Sequence, residues 1–93
     1  MDEEIVASFE RRRRSRKYRM IVELTHGIIA SHPRLSYRQA RCLIACARRS
    51  IGELSAAFVA EFELDVVPEL EACMRERWPD EFTPRAPGRM LVN

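Results

Sequence analysis

Arg11, Arg12, Arg13, Arg14, Arg16, Lys17 and Arg19 put seven of the chain's 16 basic residues within nine positions. Guanidinium groups crowded this closely repel one another and call for an anionic partner or full solvation. Phosphate is the anion they suit best, because a planar guanidinium can donate two parallel hydrogen bonds to it. Arg38, Arg41, Arg48 and Arg49 gather on one side of a later helical pattern and would extend the basic surface. A second group with chemical potential is Cys42, Cys46 and Cys73 together with His26 and His32. Cys42 and Cys46 stand one helical turn apart, but the set lacks the spacing of a zinc knuckle or ribbon. Cysteines among Ala and Leu are expected to pack in the core as small apolar residues. His26 and His32 flank a helix end, where a cap or a solvent-facing imidazole is the ordinary role. No metal site is expected.

Reaction chemistry has no foothold in the motifs. There is no glycine-rich phosphate loop, no nucleophile elbow and no His-Glu metal motif, and the acidic residues are scattered over helix positions rather than paired. The chain is therefore not expected to be an enzyme or to need a cofactor. A helix-turn-helix around Ser50-Ile51-Gly52 is also disfavoured, because its recognition helix would contain Glu61 and Glu63 and would repel a groove.

The elements that must carry these residues are helical. The chain has 93 residues, 46% of them hydrophobic, with only three glycines and with prolines at 33, 68, 79, 84 and 87. Long stretches rich in Ala, Leu, Glu and Arg are free of breakers. The expected fold is all-α: three to four helices in a small bundle, with a long first helix and a dimeric assembly. Residues 1–79 should form a single helical domain, with helices near 2–31, 36–50, 53–64 and 67–78, and residues 80–93 a poorly ordered tail containing Pro84 and Pro87.

The first helix is clearest in its second half. At about 100° per residue, Tyr18, Ile21, Val22, Thr25, Ile28 and Ile29 share one face, and Arg12, Arg16, Arg19 and Glu23 fall opposite. Tyr18 thus belongs to the core rather than to a base-stacking platform. Ile5 and Phe9 project onto the basic side, away from that stripe. Either the helix breaks within residues 11–15, or Ile5 and Phe9 meet something else; a continuous helix with a dimer contact through Ile5 and Phe9 is the favoured reading. Ser36 with Gln39 forms a capping-box pattern ahead of the stripe Ala40, Leu43, Ile44, Ala47 and Ile51. Ser50 with Glu53 repeats the pattern across Gly52 and predicts a new helix carrying Leu54, Ala57, Phe58 and Phe62. Asp65 is expected to cap a last helix with Pro68 in its first turn and Val67, Leu70, Met74 and Trp78 on its inner face.

Charge is divided along the chain. Residues 1–49 hold twelve basic and five acidic side chains, and residues 50–93 hold four and nine, so the halves carry about +7 and −5. Fifteen of the 16 basic residues are Arg. The acidic start at Asp2-Glu3-Glu4, and apolar runs too short for a span, predict neither a secretory signal nor a membrane crossing. An odd number of cysteines adds the expectation of reduced thiols in the cytoplasm, with nuclear entry open in a eukaryotic cell.

In charge alone, the block from Arg11 to Arg19 resembles the arginine-rich helices with which small viral and phage proteins grip RNA. The resemblance implies a small protein that binds nucleic acid through phosphates with little sequence preference, RNA and especially duplex RNA being favoured over DNA, of the kind that shields or regulates RNA. The alternative is an adaptor or inhibitor that recognises a protein through Glu61, Glu63, Asp65, Glu69, Glu71 and Glu76, with the basic block only balancing charge.

Overall fold

The structure, a computed structural model, describes residues 2–82, and among them every regular element is helical. Helix α1 spans Asp2–Ser31, α2 Tyr37–Leu54, α3 Ala56–Glu61 and α4 Val67–Arg77. A π-helical segment, Phe62–Val66, joins α3 to α4, so residues 56–77 make one rod with a wide turn in its middle. The fold is all-α, and α1 is unbroken through the arginine block.

Local chemistry sets the boundaries. At the end of α1 the His32 amide donates to the Ile28 carbonyl (2.9 Å), and the Arg34 amide donates to His32 Nδ1 (3.3 Å), which turns the chain before Pro33 can extend the helix. The capping box at the start of α2 is fully formed: Ser36 Oγ accepts from the Gln39 amide (3.1 Å) and Gln39 Oε1 accepts from the Ser36 amide (2.9 Å). The break predicted at Ser50 to Gly52 is not there. Helix α2 continues through Gly52 to Leu54, and the chain bends instead at Ser55, which is extended (φ −173°, ψ 137°) and caps α3 by accepting from the Ala57 amide (3.1 Å). Buried Ile51 explains the difference, since its place on the α2 stripe holds the helix together across the glycine.

Asp65 does not cap α4. The backbone never leaves helical geometry there, so no cap is required. Pro68 has no amide to donate to the carbonyl four residues earlier, and its ring crowds that carbonyl. The turn widens to accommodate it, and the Val67 amide donates back five residues to Phe62.

The core lies where the second half of α1 meets α2 and the 56–77 rod. Tyr18, Ile29, Ala40, Ile44, Ala47, Ile51, Phe62, Leu70 and Met74 are buried, and Phe62, Ile29, Ile51, Leu70 and Met74 are the largest side chains sealed from solvent. Leu43, Val67 and Trp78 pack around them half-buried. Cys42 and Cys46, expected in the core, are exposed, because the buried stripe of α2 runs through Ala40, Ile44, Ala47 and Ile51 on the other side; Cys73 is half-buried. The expected tail begins with ordered residues: Pro79–Glu81 form a 3₁₀ turn, and Phe82 packs against Tyr37 edge to face (5.6 Å between ring centres). The rest of that segment lies outside the described residues.

Gly52 offers a signed test of the α2 boundary. A Cβ built there meets only the Val59 side chain at 3.7 Å, an ordinary contact. Gly52→Ala should therefore stabilise the protein by about 0.5–1 kcal/mol in urea unfolding, as for any helix-interior glycine. A loss of stability would mean that the chain turns at Gly52 after all.

Candidate nucleic-acid interface

The basic block occupies the part of α1 that leaves the core. Burial along α1 starts at Tyr18, and Arg11, Arg12, Arg13, Arg16, Lys17 and Arg19 are all exposed, with Arg14 half-buried. This stretch remains helical because it extends a helix already nucleated by its packed half, and adding a turn to an existing helix is far easier than starting one. Acidic residues near the amino end favour the helix dipole.

Carboxylates reach little of the block. Glu10 Oε1 pairs with Arg13 (3.2 Å) and stands 3.9 Å from Arg14, both along the same helix face. Among the described residues, Arg11, Arg12, Arg16, Lys17 and Arg19 form no ion pair. Like charges three and four residues apart on a helix repel by a few tenths of a kcal/mol per pair. One glutamate does not offset them.

The second basic set behaves differently. Arg41 donates to Glu71 (3.1 Å) and, through Nε, to the Tyr37 hydroxyl (2.8 Å), and its guanidinium lies 5.1 Å from the Tyr37 ring centre and 5.9 Å from that of Phe82. The Tyr37 hydrogen bond, then Glu71, raises its pKa above the ordinary value against the opposing effect of burial. Arg48 pairs with Glu63. Both arginines thus tie α2 to the 56–77 rod, and the expectation that all four extend the ligand surface is corrected: only Arg38 and Arg49 stay exposed without an ion pair among the described residues.

Arg77, which belongs to no motif, is another structural cation. It donates to the Ile29 carbonyl (2.9 Å) in the last turn of α1, with its guanidinium 4.5 Å from the Trp78 ring centre. Helix α1 has no basic residue of its own in that turn, so α4 supplies the charge its carboxyl end favours. No sequence signal marks this contact, because 48 residues separate its partners. Arg75 lies 4.7 Å from the Phe82 ring centre.

Tyr18 sits at the junction between arm and core. Its ring stacks on Phe58 (4.7 Å, 7° between planes), so its face is covered and unavailable to a base. His26 and His32 are exposed, and among the described residues no three His, Cys, Asp or Glu side chains gather where they could hold a metal ion. No helix among the described residues is long and apolar enough to cross a membrane. Comparison with known protein families, curated proteins and solved structures finds no match to this chain.

The Tyr18 hydroxyl is buried without a hydrogen-bond partner among the described residues. Its pKa is raised, first by burial and then by the nearby charges of Glu61 and Asp65. Tyr18→Phe removes a buried donor that gains nothing, and should stabilise the protein by up to about 1 kcal/mol at neutral pH. The folded-state pKa lies above the unfolded value near 10, so Tyr18's contribution is intact below pH 10 and is lost as pH rises through the folded value. Urea titrations from pH 8 to 11 should show the advantage of Tyr18→Phe widening above pH 10. A constant or shrinking difference would contradict this account of Tyr18.

Proposed function

We propose that this protein binds nucleic acid through the arm of α1, contacting phosphates with Arg11, Arg12, Arg13, Arg14, Arg16, Lys17 and Arg19 and reading little sequence. The observation that carries the reading is that five cations in a nine-residue stretch, Arg11, Arg12, Arg16, Lys17 and Arg19, are exposed on α1 and form no ion pair among the described residues. Guanidinium groups on several sides of one rod reach phosphates across a groove and release condensed counterions. Duplex RNA is favoured, because its A-form shape and phosphates can be gripped without a side chain reading the bases. Arg38 and Arg49 on α2 add secondary contacts. The protein works as a pair of copies joined near Ile5 and Phe9, and free thiols at Cys42, Cys46 and Cys73 suit a cytoplasmic setting.

The adaptor alternative has weaker support. Of its six acidic residues, Glu63 and Glu71 are engaged by Arg48 and Arg41. The face it needs is thus partly occupied from within.

Five unpaired cations per arm imply that log K falls with log salt at a slope of about −4.5. Fluorescence anisotropy with a 20-base-pair RNA duplex should show this slope for the unaltered chain. Arg12→Ala/Arg16→Ala/Arg19→Ala should flatten it by about 2 to 3 and weaken binding at least tenfold at 0.1 M salt. Arg41→Ala should leave the slope in place. Equal affinity for the triple variant and the unaltered chain would refute the proposal.

A further inference from the structure

Helix α1 is apolar on two opposite sides. One side is the core stripe. The other carries Ile5, Val6, Phe9, Met20 and Leu24, whose exposures of 59%, 57%, 64%, 53% and 58% leave most of each side chain in water. At about 100° per residue these five fall within an arc of about 100°, with Arg13 and Arg16 inside it. Helices α2 and α4 pack against the opposite side, so none of the described residues covers this face.

Four of these residues, all but Val6, are spaced with a symmetry of their own. Ile5 and Phe9 are four apart, Met20 and Leu24 are four apart, and the outer and inner pairs share one midpoint, between Arg14 and Ser15. A second α1 laid antiparallel about a two-fold axis through that midpoint brings Phe9 onto Met20 and sets Ile5 and Val6 level with Leu24, twice over, with Val6 on the Leu24 flank. In the same register Glu10 of one copy lies beside Lys17 of the other, again twice, at the flank of an antiparallel helix pair. Apolar contact and opposite charge thus agree on one partner and one register.

The centre of that pairing is hostile by itself. Arg13 meets Arg16 of the second copy and Arg12 approaches Arg19, so cations from both copies crowd the axis. A strip about 30 Å long and 10 Å wide also falls short of the roughly 800 Å² per partner typical of stable interfaces. An anion with several charges, set along the axis, removes the repulsion.

We infer that the outward face of α1 docks a second copy of this chain, antiparallel and centred between Arg14 and Ser15, and that a polyanion completes the joint. The inference rests on the pairing of copies proposed above and deepens it: it adds Met20 and Leu24, assigns the direction, and makes assembly conditional on the ligand. RNA loaded by paired arms would meet a doubled row of guanidinium groups. Pairing and phosphate binding are then coupled, and each strengthens the other.

Sedimentation equilibrium of the full chain, with short-chain inorganic polyphosphate as the probe, tests the inference. Pairing should tighten at least tenfold when polyphosphate is added. Met20→Glu/Leu24→Glu changes only exposed positions, so circular dichroism should be unaltered, while pairing should weaken at least tenfold. Glu10→Lys and Lys17→Glu should each weaken pairing, and the double exchange Glu10→Lys/Lys17→Glu should restore it. A chain that stays monomeric with and without polyphosphate, a dimer indifferent to Met20→Glu/Leu24→Glu, or a double exchange that restores nothing would each overturn the inference. RNA affinity measured on the same samples keeps the two proposals apart. If Met20→Glu/Leu24→Glu, unpaired, binds RNA undiminished while the unaltered chain pairs, the coupling fails and phosphate binding stands; if polyphosphate drives pairing but RNA does not bind, pairing stands and RNA binding fails.

Discussion

Among the described residues, the stripe from Tyr18 to Ile29 is the part of α1 that the other elements grip, and what the amino-terminal half can do follows from that attachment. Burying Ile29 against the cluster of Ile51, Phe62, Leu70 and Met74 fixes the axis of the helix. Tyr18 stacked on Phe58 is the last buried contact before the arm leaves. Beyond it, residues 2–17 extend for about 24 Å at the ordinary helical rise. Their helical state depends on propagation from the packed half, and their charges oppose it. Anions that neutralise the block should therefore also firm the arm.

Nearness, not net charge, decides which arginines are neutralised. The carboxyl-terminal half has acidic residues to spare, yet they reach only cations on the elements they touch: Glu71 takes Arg41 and Glu63 takes Arg48. These pairs are partly exposed, and pairs of that kind contribute about 0–1 kcal/mol each. Their larger effect is to set the register between α2 and the rod, helped by the Tyr37, Phe82 and Arg75 stack. The arm lies beyond the reach of this acidic surface. Its own Glu10 serves two of seven cations.

Much of this organisation was legible in the residues themselves. A helical period marks the core stripes of α1 and α2, and Ser36 with Gln39 marks the start of α2, because both signals act within one or two turns. Tyr18 was assigned to the core by the same period. What escaped was non-local. Gly52 looked like a break, but Ile51 is held from across the core; Asp65 looked like a cap, but Pro68 was accommodated by a wider turn. Cys42 and Cys46 pointed to the core by residue type alone, although the α2 stripe already places them off its buried side. Arg41 and Arg48 looked like ligand contacts, since nothing local announces carboxylates 30 and 15 residues away. Met20 and Leu24 are hidden among the charges on their face, although their match to Ile5 and Phe9 is present in the spacing.

Arginine side-chain resonances offer the most direct view of the central claim, that the cations of the α1 arm are open to polyanions while those of α2 facing the rod are committed internally. Nitrogen-15 spectra of the Nε–Hε groups, recorded as a 20-base-pair RNA duplex is added, should show Arg11, Arg12, Arg16 and Arg19 shifting together while Arg41 and Arg48 stay still. Shifts confined to Arg41 and Arg48, or a spectrum unchanged by saturating duplex, would contradict the account.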